Sequence, residues 1–316
     1  MSRWAVRSAR GSCRRPGPPW RDKRVIELVR RALREDIGPG DVTSRSLIDP
    51  DCRIRAAVIA RHACVVAGVE IVRLACRLAD RGVACRVLAP DGKAVKAGES
   101  VMVLSGKARS ILAVERTALN FLQRLTGIST LTAQYVAAVR RYGTIILDTR
   151  KTTPNMRLLE KYAVRCGGGQ NHRMGLYDMV LIKDNHRFLW QKASALAEAV
   201  REARKKNPGV LIEVEVESAA ELRDALSASP DWIMLDNMAP ELMKKCVKIC
   251  AGRCRLEASG GINLQSIRAI AAAGVDAVSI GALTHSAPAA DLSLEVERSS
   301  VLRKYRKSAG RGGVSD

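Results

Sequence analysis

Asn171, His172 and Arg173 follow one another directly in the stretch GGGQNHR, residues 167–173, behind three glycines that carry no side chain. An amide, an imidazole and a guanidinium in a row offer a loop brace, a hydrogen-bond donor and a fixed planar cation. The glycines let the backbone turn and pass close to a ligand. Around this stretch, one apolar run after another ends in ionisable or polar residues: Asp148, Arg150 and Lys151, then Lys183 and Asp184, then Glu215 and Glu217, then Asp236 and Asn237, then Glu257 and Ser259. Ionisable groups near a core are costly unless paired or used, so this alternation of cations and acids predicts a functional surface rather than a structural one. Arg150, Arg173 and Lys183 suit carboxylates or phosphates, arginine as a fork and lysine as a point charge. Glu215 and Asp236 suit sugar hydroxyls or hydrated Mg²⁺, which takes one or two carboxylates together with phosphates.

The elements that must position these groups repeat from residue 144 onward as apolar strand, polar end, loop and helix. The predicted strands are TIILDT, MVLIKD, VLIEVEVE, WIMLDN, RLEAS and AVSIGA, and the helices between them include SALAEAVREARKK, SAAELRDALSAS, APELMKKCVKIC and NLQSIRAIAAAG. Near-continuous apolar runs are expected of parallel strands buried on both faces. Short βα units repeated in this way predict a closed or nearly closed β/α barrel, with a doubly wound sheet as the alternative, and a barrel gathers its strand C-termini at one mouth. The last two strands run into SGGINL and SIGALTHS, where glycine turns and an Asn263-capped helix expose backbone N–H groups. Such loops on the last strands of a barrel imply a phosphorylated ligand. The charged groups together fit a phosphorylated sugar plus a small polyanion.

Upstream, VIELVRRALREDIG has a helical period ending toward Gly38. Short strands and one helix follow, so residues from 25 to about 110 predict an α+β unit. The segment SILAVERTALNFLQRLTGISTLTAQYVAAVRRYG is mostly helical, with a break expected at Gly127 and a stop at Gly143.

The chain of 316 residues is 47% hydrophobic and can bury a sizeable core. Charges interrupt every apolar run before the roughly 20 residues that a membrane span requires. The first 24 residues are rich in Arg, Pro and Gly and read as a disordered basic tail; their prolines and glycines work against the amphipathic helix of a transit peptide. Nine scattered cysteines without a secretory segment fit a reducing cytosol. Cys246, Cys250 and Cys254 recur at four-residue intervals, but Gly252 intervenes, and they read as small core hydrophobes rather than metal ligands. The net charge of +21 suggests a polyanionic partner, while 3% aromatic content gives no platform for stacking bases.

The stretches ERTALNFLQRLTGIST, LDTRKTTPNMRLLEKYAVRCGGGQNHRMGLYDMVLIKDNH, VEVE, LDN, EASGGI and SIGALTHS, in this order, with REDIGPGDVTSRSLI before them, resemble the quinolinate phosphoribosyltransferases over residues 25 to 297. The resemblance implies an N-terminal α/β sandwich domain over 25–130 and a C-terminal incomplete β/α barrel over 131–297, with a basic C-terminal tail at 298–316 that returns toward the first domain. It implies condensation of quinolinate with 5-phosphoribosyl 1-diphosphate, with Mg²⁺ as cofactor, to give nicotinate mononucleotide, carbon dioxide and diphosphate. It further implies a homodimer or larger homo-oligomer in which Arg116 reaches the neighbouring site. Arg150, His172, Arg173 and Lys183 would surround quinolinate, with Lys151 near the phosphoribosyl donor and Thr149 among the substrate-binding residues. Glu215 and Asp236 would hold the ribose hydroxyls and metal, and Lys151, Glu215 and Asp236 would be the catalytic residues. Ser259, Gly260 and Gly261, with Ile280, Gly281 and Ala282, would bind the 5-phosphate.

One departure from the family pattern is Asn155, where glycine usually follows TTP; asparagine is the residue that best replaces glycine in left-handed backbone. Two other readings stand beside this one: a related phosphoribosyltransferase-like barrel with another anionic substrate, and a basic nucleic-acid-binding protein.

Overall fold

The computed structural model describes residues 18–190 and 196–298, which form two compact units. The first comprises Pro18–Thr130, Leu158–Gly167 and residues 287–298. Its elements begin with α1 (Lys23–Ile37), α2 (Val42–Leu47), β1 (Arg53–Ala60), β2 (Cys64–Val65), α3 (Val69–Ala79), β3 (Ala84–Val87), β4 (Ala94–Val95), β5 (Ser100–Lys107) and α4 (Ala108–Val139). Asp22 caps α1 by accepting from the Arg24 N–H at 2.8 Å, and Gly38 ends the helix at φ 51°. Val25, Val29 and Leu33, on the inner stripe of α1, are buried, and α1 packs on α3. Full burial of each such side chain contributes about 1.5–3 kcal/mol.

Two expectations change in this unit. The basic tail drawn over 1–24 lies outside the described residues as far as residue 17, but from there the chain is built into the fold. Pro19 is buried, and the Trp20 ring stands edge-on to Tyr162 with centroids 5.6 Å apart. Gly127 does not break α4: an ideal Cβ there would collide with the Pro288 carbonyl oxygen, so the glycine admits a close backbone crossing instead. Gly143, by contrast, is left-handed at φ 72° and stops the short 3-10 turn that follows α4.

The second unit comprises Leu131–Arg157 and Gly168–Ser286. Its first strand, β6 (Ile145–Leu147), is followed by α5 (Arg157–Cys166), which from Leu158 onward belongs to the first unit. The reason is chemical. Buried Glu160 accepts from Arg124 Nε at 3.1 Å and Nη2 at 2.9 Å, and Tyr162 donates to Asp91 at 2.6 Å. The chain then returns through β7 (Val180–Ile182), α6 (Asp184–Leu189), α7 (Leu196–Lys206), β8 (Ile212–Val216), α8 (Ala219–Leu226), β9 (Trp232–Asp236), α9 (Pro240–Cys250), β10 (Arg255–Ser259), α10 (Ile267–Ala272), β11 (Ala277–Ser279) and α11 (Ala282–His285).

All six strands are parallel, in the order β6-β11-β10-β9-β8-β7. Every residue of β8 is buried, as a strand covered on both faces requires. β6 and β7, consecutive in the chain, stand at opposite edges, and Gln170 of the glycine stretch bridges to Leu147 beside β6. This is the incomplete β/α barrel. The final strand, β12 (Leu292–Val296), leaves it and pairs antiparallel with β1. Residues 287–297 therefore complete the four-stranded sheet β12-β1-β5-β3 of the first unit rather than the barrel to which 131–297 had been assigned.

Candidate active site

Because the barrel strands are parallel, their C-terminal ends gather the ionisable residues at one mouth. Asp148, directly after β6, is fully buried and organises the glycine stretch. Its Oδ2 accepts from Asn171 Nδ2 at 2.5 Å and its Oδ1 from the His172 N–H at 3.0 Å, so Asn171 braces the loop. Arg157 ties the loop after β6 to this stretch: it donates to Thr152 Oγ1 at 3.0 Å, to the Arg150 carbonyl at 3.3 Å and to the Met174 carbonyl at 3.2 Å. Asn155 in the same loop is left-handed at φ 63°, the conformation its residue type tolerates.

His172 lies on two buried glutamates. Its Nε2 is 2.9 Å from Glu213 Oε2 and 3.5 Å from Glu257 Oε2, while its Nδ1 accepts the Arg173 N–H at 2.7 Å. Burial pushes the carboxyls of Glu213 and Glu257 each up to about 8, and in Glu257 the neighbouring Glu213 adds to the shift. The two carboxyls act on one another's charge, and each keeps an Oε1 buried without a partner. One imidazole and two carboxyls within 4.8 Å of one another are also a donor set for a divalent cation. The charges of Arg173 and Lys183, which reach Glu213, oppose a cation there, and a shared proton neutralises the pair at lower cost.

Above this group stand the cations. Arg173 Nη1 donates to the Met179 carbonyl at 3.1 Å, and burial together with the nearby Arg150 guanidinium makes Arg173 less basic than usual. Arg150 keeps its Nε buried without a partner. Two guanidiniums held close enough to repel one another are prepared for a ligand with more than one negative charge. Lys183 Nζ pairs with Glu215 Oε2.

The loops after β9, β10 and β11 carry the glycines. Asn237 is left-handed at φ 51°, donates its N–H to the Ser259 carbonyl at 3.0 Å and donates Nδ2 to Asp236 Oδ2 at 2.9 Å. Gly260, at φ 94°, leaves no room for a side chain: a Cβ there would collide with Asn237 Oδ1 and stand 2.9 Å from its backbone nitrogen. Gly281 lies under Lys151, whose Cδ would be 3.2 Å from a Cβ at that position. The Lys151 carbonyl accepts from Thr284 Oγ1 at 2.8 Å and its N–H donates to Thr149 Oγ1 at 3.1 Å. Asn263 Oδ1 accepts from the N–H groups of Gln265 and Ser266, capping the turn that leads into α10.

The barrel unit thus contains every expected site residue except Arg116, which sits on α4 in the first unit with its side chain 63% exposed. Two residues were missed as members of the site, Glu213 and Arg157, and Glu257 was noted only as a strand end. Glu213 was legible in IEVEV, because residues two apart on a strand share a face and Glu213 therefore looks the same way as Glu215. Cys246 and Cys250 are buried, in keeping with a packing role. A cavity of about 730 Å³ lies at the other end of the strands, lined by Asp231, Cys254, Arg255 and Asp276 among others.

Comparison with known proteins agrees with this arrangement. Residues 41–126 match the model of the quinolinate phosphoribosyl transferase N-terminal domain, and residues 128–295 that of the C-terminal domain. The probable nicotinate-nucleotide pyrophosphorylase (carboxylating) of Bacillus subtilis is 40% identical over 272 residues, covering 85% of this chain and 92% of its own. The chloroplastic nicotinate-nucleotide pyrophosphorylase (carboxylating) of Arabidopsis thaliana is 36% identical over 313 residues, covering 93% and 88%. The solved structure of the nicotinate-nucleotide pyrophosphorylase from Francisella tularensis superposes with a TM-score of 0.82 at 42% identity, covering 87% of this chain and 96% of that one.

Proposed function

The chain belongs to the quinolinate phosphoribosyl transferase family, and on that premise we infer that it makes nicotinate mononucleotide for NAD synthesis, joining quinolinate to 5-phosphoribosyl 1-diphosphate with release of carbon dioxide and diphosphate. The observation that carries the reading is the adjacent pair Arg150 and Arg173, one with an unpartnered buried Nε, over a barrel mouth that also holds glycine-lined loops.

In this reading Arg150, His172, Arg173 and Lys183 hold the two carboxylates of the pyridine ring. Ser259, Gly260, Gly261, Ile280, Gly281 and Ala282 cradle the 5-phosphate through backbone N–H groups, with Thr149 and Lys151 at the phosphoribosyl donor. Departure of diphosphate leaves oxocarbenium-like charge on the ribose, which Glu215 and Asp236 stabilise while they accept from the ribose hydroxyls. The ring nitrogen attacks that carbon. The resulting pyridinium is an electron sink, so the adjacent carboxylate leaves as carbon dioxide and the ring carbon takes up a proton, while the arginines keep the ring in register. No step requires a covalent enzyme nucleophile.

Asp236, half-buried and accepting from Asn237, and Glu215, paired with Lys183, are hard oxygen donors of the type Mg²⁺ takes beside phosphates. Mg²⁺ held there together with the substrate diphosphate would neutralise the charge of the leaving group.

We also propose a homodimer or larger assembly in which Arg116 of one copy completes the site of the next. In support, Leu176, Tyr177, Phe188 and Leu189 are large, apolar and exposed on the segments before and after β7, as surfaces that associate often are. Among the described residues no helix is long and apolar enough to cross a membrane, and the described cysteines are free thiols, which suits a cytoplasmic location.

The test is purified protein with quinolinate, 5-phosphoribosyl 1-diphosphate and Mg²⁺, scored for nicotinate mononucleotide, with nicotinate as the control substrate. Product from quinolinate alone is expected. Product from nicotinate but not quinolinate would sink the carboxylating assignment, and salt-dependent nucleic-acid binding without turnover would favour the basic binding protein instead.

A further inference from the structure

A ring nitrogen of histidine can be protonated or accept a hydrogen bond, and the partner of one nitrogen decides the state of the other. In His172 both are engaged: Nδ1 accepts the Arg173 N–H at 2.7 Å, so the proton stands on Nε2, which points at Glu213 Oε2 2.9 Å away with Glu257 Oε2 at 3.5 Å. The His172 side chain is 8% exposed and each glutamate side chain 1%, so solvent supplies no substitute partner for that N–H. The glutamates are placed by strand register. Glu213, on β8, pairs with Trp232 of β9, and Glu257, on β10, pairs with Met234 of β9 and with Ala277 of β11, so the acceptors are built into two strands held on a common neighbour.

Two facts make this more than an internal contact. The chain from Asn171 to Arg173 is held at one end by Asp148, through the Asn171 amide and the His172 N–H. At the other end, among the described residues, the tie of the Arg173 backbone N–H is the His172 ring itself, while its guanidinium rests on the Met179 carbonyl. The direction in which Arg173 leaves the loop therefore depends on where the ring sits, and the ring sits where the two carboxyls hold it.

We infer that Glu213 and Glu257 are positioning residues of the dicarboxylate subsite: they hold His172 as its Nε2–H tautomer, and through Nδ1 the ring fixes the Arg173 backbone and so aims its guanidinium. The inference deepens the proposed function and rests on it for the identity of the dicarboxylate. Neither glutamate touches the substrate. Their contribution is the pre-set geometry of groups that do, and loss of such outer support typically costs binding or activity by 10- to 100-fold in comparable sites.

The test compares Glu213→Leu, which fills the same space without an acceptor, with Glu213→Gln, whose amide oxygen still accepts from Nε2–H. For Glu213→Leu, KM for quinolinate is expected to rise about ten-fold or more, with kcat changed less than about three-fold and KM for 5-phosphoribosyl 1-diphosphate within about two-fold. Glu213→Gln should restore KM for quinolinate to within about three-fold of wild type. In the background of His172→Ala, Glu213→Leu should add nothing further, because the effect passes through the ring. An unchanged KM for quinolinate, an equal rise for both substrates, no rescue by glutamine, or full additivity with His172→Ala would each overturn the inference.

A second measurement needs neither turnover nor a folded leucine variant. The chain has four histidines, few enough for long-range ¹H–¹⁵N correlation of the imidazoles in the full-length protein, with His172→Asn identifying the relevant signals. The Nε2–H form is expected. An Nδ1–H form would overturn the inference even if the enzyme proves active, and the Nε2–H form would sustain it even if quinolinate proves to be the wrong substrate.

Discussion

The two ends of the same six barrel strands place similar residues in opposite circumstances. At the N-terminal end, Asp231 Oδ2 accepts from the Ile212 N–H at 2.8 Å and pairs with Arg204 at 2.8 Å. Asp276 Oδ2 likewise accepts from the Leu256 N–H at 2.8 Å, and the Arg255 guanidinium lies over the Trp232 ring, 5.2 Å from its centroid. Each of these polar groups is spent on an immediate neighbour and pins the start of a strand. At the C-terminal end, acids lie against acids and guanidiniums near each other. Among the described residues, three of the four buried side-chain atoms without a partner are here: Arg150 Nε, Glu213 Oε1 and Glu257 Oε1. The cavity of about 730 Å³ belongs to the first end and the unsatisfied chemistry to the second, so in this barrel the state of the polar atoms, rather than that hollow, marks the site.

The sharpest way to break that contrast is Arg173→Ala. It should lower kcat/KM for quinolinate by about 10³-fold or more while Tm stays within about 2 °C, because a mouth guanidinium contributes little to the core. Global unfolding in calorimetry would show that Arg173 is structural and that the two ends are alike. Next in size, Gly260→Ala forces a side chain onto Asn237 at a left-handed position. Steady-state kinetics should show KM for 5-phosphoribosyl 1-diphosphate raised by about ten-fold, the scale of the roughly 1–3 kcal/mol of strain expected at such a residue.

At the opposite end, Asp276→Ala should do the reverse. Denaturant titration should show a loss of about 1–2 kcal/mol as the Leu256 N–H loses its acceptor, with kcat/KM within about two-fold of wild type. A large kinetic effect would mean that the spent end also serves the reaction.

The most gradual effect concerns pH. The carboxyls of Glu213 and Glu257 are raised from 4.5 to about 8 in the folded protein, so the folded state retains protons that the unfolded chain has released. Stability is then fullest below the unfolded value and falls as pH rises toward about 8. Between pH 6 and 8 the loss should be about 1 kcal/mol per pH unit for each carboxyl, read as Tm in matched buffers, and Glu257→Gln should at least halve the combined slope. A slope unchanged in the variant would show that the pair does not hold the extra proton.

Legibility followed locality. All six barrel strands were readable because strands buried on both faces must be continuously apolar, and the ions at their ends were readable because charge after such a run is costly unless it is used. Asn155 was readable from residue type alone. Gly127 was not, since a glycine in a helix looks like a break until the chain near Pro288 is seen to cross it. Residues 287–297 were assigned to the barrel because they follow its last βα unit, whereas β12 finds its hydrogen-bond partners on β1, more than two hundred residues earlier. Residues 18–24 resembled the basic tail before them, and their contacts with Tyr162 depend on a segment far along the chain.

By itself the sequence determined the period of the barrel, the sign of the charges at its mouth and the glycine turns among them, all properties of residues near one another in the chain. Only the tertiary structure decided which charges meet. Glu213 and Glu257 lie on non-adjacent strands and His172 on a loop outside the sheet, and their contact arises from strand order and register, which bring together groups that no local pattern relates.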